Sequence, residues 1–353
     1  MKTYDFYYKR GVLKKVINIA FVLVAFLGKL IPKKKGVYLF GSMYGYNVAD
    51  NSKYLYRQTE SNSKYFIIFN KELLNDEEYS DYNLIYARSL KGIVLQLRAE
   101  KVFFTHGIFD FLPYLIAGSE KHNLWHGVPL KEIGPYSDWA NDCKVLFYIK
   151  VYFYKLVPHA YYMSCDYVYC PFESRVEDYH RYFMVSNPKV VLKKQAKNVN
   201  SKHIAPKKKI LYAPTHRSMY FSDFDFEDYF SKIGLYDELF INSMKETGFE
   251  LVIRPHPVDK VVFEGSALSS VYKLDLTHDL YATLADYALV ITDYSSIYLD
   301  CLERGTECIS IAADYDEYVQ KAGELSESLV NDKSFDNLTE IIPILKRIEK
   351  KYF

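Results

Sequence analysis

Short apolar runs alternate with helical patterns along most of this 353-residue chain. Runs such as VYLFGS (residues 37–42) and YFIIF (65–69) have the length of buried strands, and helical patterns begin near Asp50 and Ser89. Such alternation is typical of parallel sheets that helices cover on both faces. The sequence therefore predicts an α/β fold.

The alternation occurs twice, on either side of a lysine-rich segment with two prolines at residues 186–209. The chain is long enough for two domains of about 150 residues each. We predict two doubly wound domains, at residues 36–195 and 205–353, that face a central cleft. Ligands of such sheets bind at the carboxyl ends of the strands.

Charge and cysteine content exclude several classes of protein. The 45 basic residues against 44 acidic residues give a net charge of +1, so we expect no nucleic-acid partner. The five cysteines contain no CxxC pair, and the nine histidines contain no HExxH or HxH pair. We therefore predict neither a disulfide framework nor a metal site, and the cysteines indicate the cytosol.

The segment 1–35 is predicted to associate with a membrane. Its apolar stretch, Val16–Leu27, would extend roughly 18 Å as a helix, whereas the hydrocarbon core of a bilayer is about 30 Å thick. We favour a helix in the cytoplasmic interface with its lysines on anionic headgroups. A buried core helix and a single membrane span are the alternatives. The flanking lysines are Lys14, Lys15, Lys29 and Lys33–Lys35.

A second stretch, residues 144–162, interleaves Lys144, Lys150 and Lys155 with aromatic residues. It has the composition of a second interfacial helix. A core helix with exposed lysines fits the same pattern, and the sequence leaves both open.

Four segments share one form, an apolar run that ends abruptly in charged or hydroxyl residues. Because binding sites of open α/β sheets are built past the strand ends, we expect these segments to contribute to the ligand site. The segments are LWHGVPLKEIG (124–134), ILYAPTHRS (210–218), LVIRPHP (251–257) and LVITDYSSIYLD (289–300).

In the last segment, a predicted strand ends at Asp293, and Ser295 and Ser296 then open a helix. A helix N-terminus offers unpaired N–H groups and about half a positive charge, which suits a diphosphate. Asp300 lies further along this helix and is placed to reach a ligand hydroxyl. The alternative is that one serine merely caps the helix.

In RPHP, the flanking prolines hold Arg254 and His256 on an extended segment, where both side chains point the same way. Arginine neutralises phosphate oxygens, and a charged imidazole donates to a leaving oxygen. In APTHR, Thr215 and Arg217 have the same spacing and could bind one anion. A structural histidine and an ordinary loop are the respective alternatives.

Residues 123–127, NLWHG, are predicted as a short strand that ends near His126. Neutral imidazole is the natural base for an alcohol near pH 7. Gly127 permits close approach of a ligand, and Lys131 could pair with phosphate. A purely structural histidine is the alternative.

Taken together and in this order, the motifs resemble those of the CDP-glycerol glycerophosphotransferase family of teichoic-acid and capsule synthesis. They are WHGVPLKEIG, LYAPTHR, IRPHP and ITDYSSIYLD, with a weaker echo in DNSKYLY (50–56). The resemblance covers about residues 36–320. It implies a GT-B fold of two Rossmann-like domains, with the acceptor on the N-terminal domain and the CDP donor on the C-terminal one.

The resemblance also implies that His126 is the catalytic base and His256 a second essential histidine. His216 departs from the family, which often has an aromatic or other bulky residue there. A second His-Gly pair at His106 lacks the Pro-Leu-Lys that follows His126, so we assign it no catalytic role. With His126 itself, the predicted donor contacts are Gly127, Val128, Pro129, Leu130, Lys131, Thr215, Arg217, Arg254, Pro255, Asp293, Ser295, Ser296 and Asp300.

The predicted reaction is transfer of glycerol phosphate from CDP-glycerol to a hydroxyl of a lipid-linked teichoic acid or capsular acceptor, with release of CMP. We expect a peripheral enzyme on the cytoplasmic face of the membrane. Since Asp293 stands nearly alone at the end of its strand, we predict that metal is not essential. A homo-oligomer is compatible with the sequence.

Three alternatives remain at this point. The first is a CDP-ribitol ribitolphosphotransferase, because no motif measures the length of the polyol. The second is a GT-B glycosyltransferase or epimerase that acts on a sugar nucleotide. The third is a non-catalytic membrane-associated subunit. The chain length favours an enzyme that adds a single unit over a polymerase.

Overall fold

The structure is a computed structural model in which the chain divides into two compact units. The first comprises the chain up to His126 together with Ile133–Lys197, and the second comprises Gly127–Glu132 together with Asn198–Phe353. The short segment Gly127–Glu132 thus packs with the second unit, which the ranges drawn from the sequence did not anticipate. The described residues are 22–184, 188–199, 205–217, 221, 224–256, 272–275, 277, 279–323, 325 and 334–353.

The first unit contains the strands β1 (Lys34–Gly41), β2 (Lys64–Ile68), β3 (Leu84–Tyr86), β4 (Ala99–Phe104), β5 (Glu120–Asn123), β6 (Tyr167–Cys170) and β7 (Lys189–Leu192). They form one parallel sheet in the order β3-β2-β1-β4-β5-β6-β7. In doubly wound sheets of this order, the strand order reverses between β1 and β4, and ligands bind at the carboxyl ends there. The predicted strand at 123–127 is wrong, because β5 ends at Asn123.

Aromatic side chains fill one face of this sheet. Phe40 stacks on Phe103 with ring centroids 5.0 Å apart, and Tyr56 meets Phe40 edge-on at 5.3 Å. Tyr56 belongs to the helix Asp50–Gln58, which begins where the sequence pattern predicts it. These aromatic contacts therefore help to fix this helix on the sheet.

The other helices of the first unit follow the strands in the same alternating order. The Ser89 side chain accepts the Gly92 N–H at 3.0 Å and so starts the helix Leu90–Arg98. The α-helices that follow along the chain are Pro135–Asp138, Lys144–Leu156 and Val176–Tyr182, and the short helix Ala196–Val199 spans the boundary between the units.

The second unit repeats the architecture with the strands β8 (Lys207–Tyr212), β9 (Glu250–Ile253), β10 (Lys273–Leu274), β11 (Tyr287–Thr292), β12 (Cys308–Ile311) and β13 (Ser334–Phe335). The sheet is parallel, in the order β10-β9-β8-β11-β12-β13. Every residue of β11 is buried, as expected of a central strand covered on both faces. The helices are Phe226–Lys232, Glu238–Thr247, Leu280–Thr283, Ile297–Arg304, Tyr315–Ala322 and Ile342–Tyr352.

Residues 22–30 form a helix whose apolar side chains face solvent. Its buried side is narrow and consists of small residues, Ala25 and Gly28. By contrast, Leu23, Phe26 and Leu27 are 60%, 62% and 59% exposed. The helix is thus attached to the first unit by one edge only.

The helix Lys144–Leu156 has a similar character. Of its residues only Val151 is buried, whereas Ile149, Tyr152 and Leu156 are 58%, 65% and 81% exposed. Neither this helix nor any other described helix has the length and apolar character needed to cross a bilayer. Residues 16–21 of the apolar N-terminal stretch lie outside the described residues.

We expect Gly92→Ala to destabilise the first unit. A Cβ on Gly92 would lie 2.3 Å from the Tyr86 carbonyl oxygen, a backbone atom that cannot swing away. Overpacking of this kind costs about 1–3 kcal/mol of unfolding free energy, which urea denaturation would measure. Gly28→Ala is the control, because its Cβ would meet nothing closer than 3.4 Å and alanine favours a helix. Equal effects of the two substitutions would contradict this account.

Candidate active site

Two histidines meet at the carboxyl edge of the first sheet. His106 follows β4 and His126 follows β5, the neighbouring strand. Their rings stack with centroids 4.6 Å apart and planes 16° apart. In sequence, nothing assigns His106 to the site, because its local motif lacks the residues that follow His126.

The hydrogen bond of His126 defines which ring nitrogen can act as a base. Its Nδ1 lies 3.2 Å from the Thr105 carbonyl oxygen. A carbonyl oxygen only accepts, so Nδ1 must carry the hydrogen. In the neutral ring, Nε2 then holds the lone pair that can take a proton.

His106 is held as a neutral ring. The Met43 N–H donates to His106 Nδ1 at 3.1 Å, which requires a lone pair on that nitrogen. Burial lowers the pKa of His106 well below its usual value, and the nearby His126 and Lys197 lower it further. His106 therefore presents an uncharged face to His126.

The buried carboxyl group of Asp110 fixes the loops around these histidines. It accepts the N–H groups of Tyr44 at 2.7 Å and of Thr105 and His106, each at 3.0 Å. Burial raises the pKa of Asp110 to about 7, although the three N–H donors oppose this shift. Asp110 thereby joins the loop after β1 to the loop after β4.

Backbone strain collects in the same loops. Among the described residues, the non-glycine residues with positive φ are Met43 (49°), Tyr44 (55°), Asp50 (54°) and Trp125 (52°). All four lie after β1 or β5. Each such conformation costs of order 1–3 kcal/mol, and such strain tends to cluster at functional sites.

Two buried side chains hold the backbone around His126. Asn51 Nδ2 donates to the Trp125 carbonyl oxygen at 2.8 Å, and Lys197 Nζ donates to the His126 carbonyl oxygen at 2.8 Å. Neither residue belongs to the site predicted from the sequence. Asn51 lies within DNSKYLY, the segment with the weaker resemblance to the family. Lys197 lies in none of the motifs that carry the resemblance.

In the second unit, Arg217 lies at the centre of a buried ion-pair network. Its guanidinium is completely buried and lies 2.9 Å from Asp293 and 3.2 Å from Asp314. It also donates to the Thr215 carbonyl oxygen at 3.0 Å. Burial alone would lower the pKa of Arg217, but Asp293, Asp314 and the neighbouring tyrosines together outweigh this effect and raise the pKa.

Four aromatic rings enclose the same guanidinium, with centroids 5.0–5.5 Å from its central carbon. These rings and the two carboxylates surround the guanidinium of Arg217. The predicted direct contact between Arg217 and the donor does not fit this geometry. The role of Arg217 is to position the loop that carries Thr215. The rings are Phe224, Tyr229, Tyr294 and Tyr318.

The carboxylates of Asp293 and Asp300 are likewise buried, and both accept hydrogen bonds from other residues of the second unit. Asp293 accepts the N–H groups of Thr215 at 2.8 Å and Tyr294 at 2.6 Å, besides the Thr215 hydroxyl. Asp300 accepts from the Tyr281 hydroxyl at 2.6 Å and from Asn198 at 3.2 Å. The expectation that Asp300 reaches a ligand hydroxyl does not fit this burial, since its carboxylate faces the interior of the unit.

Arg254 and His256 follow β9, separated by Pro255. Arg254 donates to Asp275 at 2.8 Å and to the Thr277 carbonyl oxygen at 2.8 Å, which fixes the guanidinium. His256 is exposed, and its ring lies 4.8 Å from that of His216. His216, at which this chain departs from the family pattern, thus contacts the predicted essential histidine.

Ser295 and Ser296 lie at the start of the helix Ile297–Arg304, partly exposed. Ser296 occupies the N-cap position, yet its side chain makes no capping hydrogen bond. Ser295 Oγ accepts the Ile297 N–H at 3.4 Å, a long contact. A Cβ on Gly127 would lie 2.8 Å from Ser296 Oγ, so the glycine allows this close approach.

The segment after His126 is anchored in the second unit. Val128, Pro129 and Leu130 are buried, so their side chains hold the segment rather than face a ligand. Lys131 Nζ donates to the Tyr318 hydroxyl at 2.9 Å and lies 4.4 Å from that ring's centroid. Burial, and then the charge of Arg217, lower the pKa of Lys131 to about 8.

The strand-end carboxylates of the second unit already have cationic or hydroxyl partners. Asp293 and Asp314 pair with Arg217, and Asp275 pairs with Arg254. Within the described part of the chain, no three His, Cys, Asp or Glu side chains are grouped as metal ligands.

The sequence matches a known protein family over most of its length. A family model described as CDP-glycerol:poly(glycerophosphate) glycerophosphotransferase matches residues 23–352. The chain belongs to this family. The resemblance found in the four motifs is thereby confirmed, and the protein is an enzyme that transfers glycerol phosphate from CDP-glycerol. The alternative of a non-catalytic subunit is set aside.

Two solved structures of the wall teichoic acid polymerase TagF are similar to this glycerophosphotransferase. Their TM-scores are 0.66 and 0.65, both at 18% identity, and the matches cover 96% of this chain and 89% and 88% of theirs. At this identity the likeness shows the fold, an α/β, GT-B-like architecture with two parallel sheets. No curated protein sequence matches the chain.

We expect Arg217→Met to destabilise the second unit strongly. It would leave the buried carboxylates of Asp293 and Asp314 without their cation, and breaking a buried pair costs about 3–5 kcal/mol. Urea denaturation would measure the loss. Arg347→Met is the control, because Arg347 is 61% exposed in its pair with Glu307, where about 1 kcal/mol or less is at stake. Similar losses in both variants would refute the role given to Arg217.

Proposed function

We propose that this glycerophosphotransferase acts on a hydroxyl of a lipid-linked teichoic acid acceptor and releases CMP. Membership of the family supports the donor and the transferred group. The fold shared with a wall teichoic acid polymerase supports the class of acceptor. The observation that carries the chemistry is His126, whose Nδ1 is committed to the Thr105 carbonyl oxygen so that Nε2 is the basic nitrogen.

In the proposed reaction, His126 Nε2 takes the proton from the acceptor hydroxyl. The acceptor oxygen forms a bond to the β-phosphorus of CDP-glycerol, and the bond from this phosphorus to the bridging oxygen breaks. The electron pair leaves with CMP. His256, exposed after β9, donates a proton to the leaving phosphate. Transfer of this kind is catalysed chiefly by positioning and charge stabilisation.

The second unit supplies the positive potential for the diphosphate. Lys131 contributes a charge and Arg254 a fixed guanidinium. Ser295 and Ser296 contribute hydroxyls beside the N–H groups of a helix N-terminus. These groups replace the neutralisation that Mg²⁺ often provides, so we propose that divalent metal is not required. The strand-end carboxylates that could bind such an ion are occupied by Arg217 and Arg254.

The enzyme is proposed to work as a peripheral protein on the cytoplasmic face of the membrane. The apolar faces of helices 22–30 and Lys144–Leu156 support this location, because exposed apolar patches of this kind mark interaction surfaces. Lysines on both helices add attraction to anionic lipids. A capsular acceptor and single-unit addition are the variants of the proposal that assays must separate.

A donor panel tests the function directly. Purified protein would be given CDP-glycerol, CDP-ribitol or UDP-sugars with a synthetic lipid-linked acceptor, with and without EDTA. CMP release and the mass of the product are measured. The proposal expects CMP release and added glycerol phosphate with CDP-glycerol, unaffected by EDTA. Turnover with UDP-sugars alone would overturn the proposal. The number of added units distinguishes an enzyme that adds a single unit from a polymerase.

We expect His126→Ala to lower turnover by about 10²–10⁴-fold, the usual contribution of a general base. Binding of CDP-glycerol, measured by calorimetry, should change little. His180→Ala, an exposed histidine of the first unit, is the control and should retain full activity. Turnover of the His126 variant within about threefold of the natural protein would exclude it as the base.

Donor affinity should depend on pH through Lys131. With its pKa near 8, the charged fraction falls as pH rises from 7 to 9, so CDP-glycerol should bind up to about tenfold more weakly at pH 9. Lys131→Arg stays charged and should abolish this dependence. Lys245→Arg, at an exposed position, should keep it. Identical pH profiles for Lys131→Arg and the natural protein would show that Lys131 does not meet the diphosphate.

A further inference from the structure

A cavity of about 560 Å³ in the first unit lies between the two helices with exposed apolar faces. Lys29 of the helix 22–30 and Lys155 of the helix Lys144–Leu156 both line it. Lys121 and His159 line it as well. None of these residues belongs to the strand-end motifs that contain the predicted catalytic residues.

The polar groups of this cavity are incompletely satisfied. His159 Nε2 is shielded from solvent and has no hydrogen-bond partner among the described residues. Lys29 and Lys155 form no ion pair with any residue that the structure describes. Lys121 pairs with Asp166 at 2.9 Å, which is the only carboxylate among the residues that line the cavity. The described lining therefore has more positive than negative charge.

Burial and the charge of Lys29 lower the pKa of His159, in that order. The positive charge of Lys29 thus acts on the imidazole of His159. Because its pKa is lowered, this imidazole is neutral near pH 7. An anion in the cavity would reverse this effect, because it would pair with Lys29 and Lys155 and accept a hydrogen bond from His159. A buried polar atom without a partner is costly, and such an anion would remove the cost.

We propose that this cavity binds the phosphate headgroup of an anionic lipid. Lysines and an imidazole hydrogen bond match the charge and oxygen atoms of a phosphate. Ile108, Ile116 and Pro158 line the cavity beside them and provide apolar contact. The proposal rests on the membrane location given above and adds to it a defined site for one lipid.

The neighbouring helices favour a lipid over free phosphate. Phe26 and Leu27 on one helix and Leu156 on the other are more than half exposed. A site for a soluble anion has no need of such surfaces, whereas acyl chains beside a bound headgroup would cover them. Apolar surface and cationic cavity together match the two parts of an anionic phospholipid.

Vesicle sedimentation tests the charge requirement. The full chain is mixed with phosphatidylcholine vesicles that contain phosphatidic acid, without CDP-glycerol, so that the result does not depend on turnover. Lys29→Gln/Lys155→Gln should bind about thirtyfold more weakly, from about 1 kcal/mol for each lysine. Lys232→Gln/Lys245→Gln removes the same charge from exposed positions of the second unit and should bind within about twofold of the natural protein. Equal weakening in both variants would overturn the proposal.

A second measurement separates a defined site from diffuse attraction. The His159 ring resonances are followed by NMR during titration with soluble dihexanoyl phosphatidic acid or with inorganic phosphate. The lipid should cause a saturable shift and raise the pKa of His159. Ala117→Trp fills the cavity without changing its charge and should abolish the shift, while turnover of a water-soluble acceptor stays unchanged.

The outcomes decide the assignment. A His159 that does not respond to lipid would refute the site. An equal affinity for inorganic phosphate would make it a site for the free anion and refute the lipid. Should Ala117→Trp fail to fold, the NMR titration of Lys29→Gln/Lys155→Gln takes its place. Lipid binding by a protein that shows no turnover would indicate failure of the proposed function and not of this site.

Discussion

The buried guanidinium of Arg217 is the interaction on which the second unit's site depends. It joins the loop after β8 to Asp293 after β11 and Asp314 after β12. Moving any one of these loops would leave a charge without its partner in a region that excludes water, which is strongly unfavourable. The loop with Thr215 and the turn with Ser295 are therefore held in one arrangement before any ligand arrives, and preorganisation of this kind is what charge stabilisation requires.

The first unit achieves similar rigidity with a carboxyl group and backbone N–H groups. Asp110 satisfies three N–H donors from two loops, and those loops carry His106 and the strained residues Met43 and Tyr44. Positive φ angles persist only where surrounding contacts determine them. The hydrogen bonds of Asp110 are such contacts, so they hold His106 where it can stack on His126.

The sequence predicted the α/β fold and the positions of the strand-end motifs, because apolar periodicity and turn residues are local signals. It could not predict which motif side chains face inward. Arg217 is buried by Asp314, 97 positions away, and Asp300 by Tyr281. Their local spacing resembled that of ligand contacts, but the partners that bury them depend on the folded sheet.

The same limit explains His106 and the exposed helices. The stacking of His106 on His126 follows from the pairing of β4 with β5, which no single motif encodes. Apart from Lys29, the helix 22–30 is apolar along its whole length in sequence, and only its packing shows that Ala25 and Gly28 form the buried edge. Local patterns thus identify elements, whereas the choice of face and neighbour comes from tertiary contacts.

The stacked histidines also bear on how a base can work beside a second imidazole. Two charged rings 4.6 Å apart would repel each other, so protonation of one disfavours protonation of the other. Burial has already lowered the pKa of His106, and Met43 occupies its Nδ1 lone pair with an N–H. The positive charge that arises during the proposed transfer therefore resides on exposed His126, which can return its proton to solvent. In this arrangement His106 acts as a neutral support, and its burial is what leaves His126 free to change charge.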